Sequence, residues 1–234
     1  MINAEKVRKF WLDRGKKYQK IAYDSIGNLE ENEQLLKLKV RLEQEQVLPR
    51  LGLTPDMDVL DLGAGVGQWS FRFSPKVHSV TAVEFSRPLI DIAEKEALER
   101  GIKNVYFLEC SVEQFIPETT WPLVFISGLF VYLNDAQAEA AANVVVASIR
   151  SGGRLFLRDG TSILGKRYII DDRWSDVLHT EYSAVYRTRD EYVAMFTSRG
   201  LLLREDANMF AENVTLNKYS ETRLRFYVFD KIEG

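Results

Sequence analysis

Three glycines stand at alternate positions in Gly63-Ala64-Gly65-Val66-Gly67, directly behind the apolar run Val59-Leu60-Asp61-Leu62. Glycine lets backbone approach a ligand closely and accepts positive φ without a Cβ penalty, so the run reads as a buried strand that ends in a ligand-binding turn at the start of a helix. A pyrophosphate-binding turn would place its third glycine three residues after the second, where this chain has Gln68. That spacing argues against a pyrophosphate. Asp61, just before the turn, adds negative charge, which suits a cationic amino-acid ligand better than an anionic one. Glu84 lies seventeen residues beyond Gly67 and ends the next apolar run. A carboxylate at the tip of a second strand can accept both hydroxyls of a ribose. The chemistry implied is recognition of a nucleoside that carries an amino acid.

Elements that hold such residues must alternate strand and helix. From Met57 onward, short apolar runs (DVLDLG, HSVTAVEF, NVYFLEC, PLVFISG, GRLFLRDG) are separated by helical stretches at 67–73, 88–99 and 135–149. This is the pattern of βαβ crossovers, and it predicts a doubly wound, mostly parallel α/β sheet. Residues 160–187 break the rhythm as a polar, aromatic-rich insertion. They are followed by a helix in RDEYVAMFTSRG and a last strand in TRLRFYVFDK. In front, residues 4–50 have helical spacing of apolar residues among dense charges, interrupted at 24–28, with Asn28 or Glu30 opening the second helix. The expected organisation is a helical cap over residues 1–50 and a core over 51–234.

Over residues 57–160 the chain resembles the class I S-adenosylmethionine (SAM)-dependent methyltransferases, in their small-molecule branch. The resemblance implies SAM as cofactor and S-adenosylhomocysteine (SAH) as product. It sets Asp61, Gly63, Ala64, Gly65 and Gly67 around the methionine part and Glu84 on the ribose. Phe85 and Val112 would sandwich the adenine. Ser111 stands where the family commonly has an acid that reads the adenine amino group, and Ser127 ends the fourth strand. The Asn/Asp-Pro-Pro-aromatic motif of base- and amide-methylating relatives is absent. In its place is Ser127-Gly128-Leu129-Phe130-Val131-Tyr132-Leu133, closer to the branch that methylates oxygen, nitrogen or carbon of metabolites.

Because SAM carries its own leaving group, few residues need be catalytic. His179, in the insertion, and Asp159, ending the fifth strand, are the candidate bases. A structural histidine and a turn-forming aspartate before Gly160 are the alternatives. Tyr182, Tyr186 and Arg187 are candidates to clamp an aromatic or carboxylated acceptor, with Phe130 nearby. Trp11, Tyr18 and Tyr23 would close the N-terminal helices over the pocket as a lid.

Charge and composition narrow the partners. With 31 basic against 34 acidic residues, no strong field favours nucleic acid. The single cysteine, Cys110, excludes an internal disulfide and a cysteine-built metal cage, and no metal is expected. No signal peptide or membrane span is legible, so a cytoplasmic monomer or homodimer is expected, acting on a small molecule. A non-catalytic SAM-binding subunit and a protein or peptide methyltransferase remain as alternatives.

Overall fold

A computed structural model describes residues 2–17, 32–175 and 180–232. The apolar runs form β1 (Asp58–Leu62), β2 (Ser79–Glu84), β3 (Val105–Glu109), β4 (Trp121–Ser127) and β5 (Ile149–Ser162), all mutually parallel where they pair. Two further strands complete the sheet, β9 (Thr222–Lys231) antiparallel to β5 and β8 (Leu201–Asn208) antiparallel to β9, giving the order β3-β2-β1-β4-β5-β9-β8. The strand order reverses between β1 and β4, and in open α/β sheets ligands bind outside the carboxyl ends of the strands at such a point.

Alternate residues of each strand face opposite layers. Leu60, Leu62, Val124, Ile126, Leu155 and Leu157 pack on α5 (Asp135–Ser148) and α6 (Arg189–Thr197). Both helices open on capping boxes, Asn134 with Gln137 and Thr188 with Glu191, which satisfy two orphan amides each. On the other face Val59, Leu123, Phe125 and Phe156 meet Trp69 and Phe73 of α3 (Gln68–Phe73) and Val47 and Leu51 of α2 (Glu33–Leu51). Between β2 and β3 lies α4 (Arg87–Glu99).

The expected cap divides in two. The carboxyl-terminal half of α2 packs into the core, with Val47 fully buried, while α1 (Ala4–Lys16) packs against α4. Trp11 joins Val66 and Leu89 on one side of α1 and Val7, Val185 and Tyr132 on the other. At its end Gly15 meets Pro88 so closely that a Cβ would lie 2.7 Å from that ring. Helix α2 opens at Glu33, where the Asn32 side chain accepts from the amides of Gln34 and Leu35; Asn28 and Glu30 lie outside the described residues. The expected break at 24–28 lies outside the described residues.

The 160–187 insertion also resolves differently. Strand β5 continues through Gly160 to Ser162, and β6 (Tyr168–Ser175) pairs with β7 (Thr180–Tyr186) as a separate two-stranded antiparallel sheet. A register shift between Ile170 and Arg173, with Asp172 at φ 50°, breaks the alternation that would mark β6 as a strand. Strand β8 was equally hidden, because Leu-Leu-Leu-Arg-Glu-Asp on a half-exposed sheet edge has no clean period of two. Among the described residues, no helix is long and apolar enough to cross a membrane.

Candidate functional site

A cavity of about 550 Å3 opens at the carboxyl ends of β1, β2, β4 and β5, beneath α1. Its floor is the glycine turn, where Gly63, Gly65 and Gly67 take φ of 74°, 58° and 76°. The amides of Gly63 and Ala64 both donate to Val83 O, at 2.9 and 3.0 Å, which ties the turn to β2. Gly67 is not a wall of the cavity. It packs inward, where a Cβ would lie 3.1 Å from Phe71 and 3.2 Å from Phe107. Gly65 is the reverse case, since a Cβ there would meet nothing within 4 Å and would project into open space.

Glu84 is 6% exposed and bonded at both oxygens: Gly65 N donates to Oε2 at 3.0 Å and Ser86 N to Oε1 at 2.9 Å. Burial nonetheless raises its pKa, against the pull of those amides and of Arg8. Each oxygen retains a lone pair for a ligand hydroxyl. The Arg8 guanidinium lies 4.8 Å over the Phe85 ring, so α1 reaches the Glu84 end of the cavity directly. Phe85, Cys110, Ser111, Val112 and Glu113 continue the wall there.

Asp61 is buried and takes Ser70 Oγ at 2.6 Å, and burial, reinforced by nearby Glu84, pushes its pKa up from 3.8 to about 7. Burial thus works against the negative charge that the sequence assigns to Asp61. Its folded pKa exceeds the unfolded one, so the stability it contributes is complete below about pH 4 and is lost as pH rises through 7. Asp61→Asn removes that loss and keeps an acceptor for Ser70. It should therefore unfold at higher denaturant than the parent at pH 8, by on the order of 1–3 kcal/mol, with the gap closing near pH 4. A gap that does not change with pH would show that Asp61 is not the group titrating.

At the other end of the cavity Asp159 is fully buried. Phe130 N donates to Oδ2 at 2.7 Å and Gly160 N to Oδ1 at 2.8 Å, while burial lifts its pKa to about 6. The alternative of a turn-forming aspartate is excluded, because β5 runs straight through it. The Tyr182 and Tyr186 hydroxyls are 3.1 Å apart, and the Tyr186 ring fills the space that a Cβ on Gly160 would need, at 2.8 Å. The Tyr132 ring stands nearly perpendicular to Tyr182 and to Trp11, at centroid distances of 6.1 and 5.0 Å. Asp159, Ser127, Trp11, Tyr182 and Tyr186, named from the sequence, thus line one cavity with Asp61 and Glu84.

Besides Gly67, two candidates do not. Arg187 is 1% exposed, and its donors are committed to Phe130 O at 2.8 Å, Leu133 O at 3.0 Å and Asp135 Oδ1 at 3.0 Å, so it braces the turn after β4 instead of holding an acceptor. Phe130 is fully buried against Tyr192 and Phe196. His179, Tyr18 and Tyr23 lie outside the described residues. Sequence reasoning missed Lys39, Glu43, Arg72 and Arg158, which line the same cavity. Nothing local marks them, since they come from two helices and a strand that meet only in the fold.

Comparison with known proteins agrees with this geometry. Residues 59–153 match the family model of the methyltransferase domain. Phosphoethanolamine N-methyltransferase 1 of Arabidopsis thaliana is 30% identical over 120 residues, which are 50% of this chain and 24% of that protein. The uncharacterized methyltransferase YcgJ of Bacillus subtilis is 25% identical over 158 residues, 63% of this chain and 58% of that one. The chain thus spans about a quarter of the plant relative and somewhat over half of the bacterial one. Among solved structures, geranyl diphosphate C-methyltransferase from Streptomyces coelicolor A3(2), in complex with Mg2+, geranyl diphosphate and SAH, superimposes with a TM-score of 0.70 at 14% identity. The likeness covers 95% of this chain and 98% of that one, and is a likeness of fold.

Proposed function

The chain carries a class I SAM-dependent methyltransferase domain, and on that premise we propose that it transfers a methyl group from SAM to an oxygen or nitrogen of a small-molecule acceptor. The observation that carries the proposal is the continuity of one cavity from Glu84 to Asp159. The nucleoside end and a tyrosine-walled seat share the same cavity, and about 550 Å3 is the scale of a small-molecule site. The names of the relatives, which act on phosphoethanolamine and geranyl diphosphate, support small acceptors as a class.

The residues fit the cofactor. Gly65 opens on empty space where backbone must approach a ligand, and Asp61, whose charge is suppressed by burial, would be ionised by a neighbouring ammonium. When bound, SAM supplies an activated methyl group on a sulfonium leaving group. The chain's own work is placement and exclusion of water. Glu84 would accept the ribose hydroxyls, and Trp11 and Tyr132 would roof the passage between the two ends. Asp159 would take the proton that the acceptor oxygen or nitrogen loses as its new bond to carbon forms, and later release it to water.

Titration of the purified chain with SAM, SAH and NAD by calorimetry tests the cofactor half, with binding of the first two and none of NAD expected. Mass spectrometry of SAM-fed reactions with hydroxylated and amino acceptors tests the transfer, the expected product being an acceptor heavier by one methyl group. Tight SAH binding with no methylated product from any acceptor class would turn the reading to a non-catalytic SAM-binding subunit.

A further inference from the structure

Four aromatic side chains from three parts of the chain wall the Asp159 end of the cavity. Trp11 comes from α1, Tyr132 from the turn after β4, and Tyr182 and Tyr186 from β7, and all four line the cavity together with Asp159 and Gly160. Of these residues only Tyr132 lies within the matched residues 59–153, so the family match leaves this end unassigned. The Tyr132 ring stands at 86° to Trp11 and at 85° to Tyr182, and rings at right angles enclose a corner where stacked rings would not. The paired hydroxyls of Tyr182 and Tyr186, 3.1 Å apart, close another side. Gly160 makes room for the Tyr186 ring directly beside Asp159, since a Cβ there would lie 2.8 Å from it.

Asp159 is fully buried, and the hydrogen bonds it accepts from Phe130 N and Gly160 N come from neutral amides. Arg187 acts on it by charge, but the donors of that guanidinium are committed to Phe130 O, Leu133 O and Asp135. Arg14, whose charge acts on Tyr132, rests over the Phe10 ring at 5.0 Å. Neither arginine lines the cavity. An ionised carboxylate in such a place calls for a cation, and the π-faces of tyrosine and tryptophan attract the same charge. A hydroxyl acceptor brings no charge to either. We propose that Trp11, Tyr132, Tyr182 and Tyr186 form a cage for an ammonium group on the acceptor, with Asp159 as its counter-ion, so that the methylated atom is a nitrogen. The inference rests on the reading of this cavity as the methyl-transfer site. In the transfer one N–H proton of the ammonium passes to Asp159, and the freed lone pair forms the bond to the methyl carbon. The electron pair of the broken carbon–sulfur bond stays on sulfur, which leaves SAH and an N-methylammonium product.

The test uses two probes of one shape that differ in charge, choline and its uncharged isostere with carbon in place of nitrogen. Each is titrated calorimetrically into the full chain, with and without saturating SAH. Choline should bind the parent chain at least about tenfold more tightly than the isostere. Asp159→Asn and Tyr182→Leu should each remove most of that preference while SAH affinity stays within about twofold of the parent, which also reports that the variants fold. The parent comparison needs no variant: equal affinity for the two probes, or no binding of choline, would overturn the cage. A preference for choline that survives both substitutions would place the cation elsewhere and overturn it as well. A parent chain that prefers choline but does not bind SAH would keep the cage and sink the cofactor reading instead. In SAM-fed reactions, methylated products from hydroxyl acceptors and none from amines would also overturn the assignment of nitrogen.

Discussion

Glu84→Ala should weaken SAH binding by about 3 kcal/mol or more, a loss of a hundredfold or beyond, since each hydrogen bond to a charged acceptor is worth roughly 1.5–3 kcal/mol. The effect exceeds that of losing a ribose contact alone. Glu84 also receives the amides of Gly65 and Ser86, and so fixes the turn at φ values that only glycine holds comfortably. Removing it leaves two buried N–H groups without acceptors and lets the turn relax away from the ligand. Glu84→Gln should be nearly as damaging, because an amide offers one oxygen where two backbone donors need one each. Calorimetry checks both variants, with circular dichroism to establish that they fold. Affinity for SAH within a few-fold of the parent in either variant would move the nucleoside contact elsewhere.

The glycine turn, Glu84 and the strand-helix alternation were legible in the sequence because each is local. A turn is written in its own residues, and an acid at a strand tip is positioned by the strand that precedes it. Burial and partnership are not local. Nothing in HTEYSAVYRTRDEY distinguishes Tyr182 and Tyr186, which face the cavity, from Arg187, which is turned away and spent on Phe130 O and Leu133 O. The spacing of α2 does not reveal that Glu43 will meet Arg158 of β5, more than a hundred positions later in the chain. Length misled in the same way. The 160–187 segment carries two Asp residues at a bulge, and its polarity hid a two-stranded sheet whose register is set by β7 and not by its own alternation.

Asp159 gives the largest expected effect on turnover. Its carboxylate sits in the cavity with two backbone donors on it and the phenols of Tyr132 and Tyr186 near, and burial holds its pKa at about 6. As the proton acceptor it must be ionised, so kcat should rise as pH climbs through about 6 and level off above 7. Asp159→Asn should lower kcat by about a hundredfold or more, the usual worth of a positioned base, and erase that step. SAH affinity should be nearly unchanged, since Asp159 lies at the opposite end of the cavity from Glu84. Folding behaves in the opposite sense to activity. The folded pKa lies above the ordinary 3.8, so the stability contributed by Asp159 is full below about pH 4 and declines as pH rises through 6, the range in which activity appears. The asparagine places an amide nitrogen against Phe130 N or Gly160 N, so some instability at every pH is expected, and a thermal melt must accompany the rates. A folded variant that keeps the parent's kcat, or whose rate still steps near pH 6, would remove Asp159 from the chemistry and leave it as the brace that holds the turn after β4 against β5.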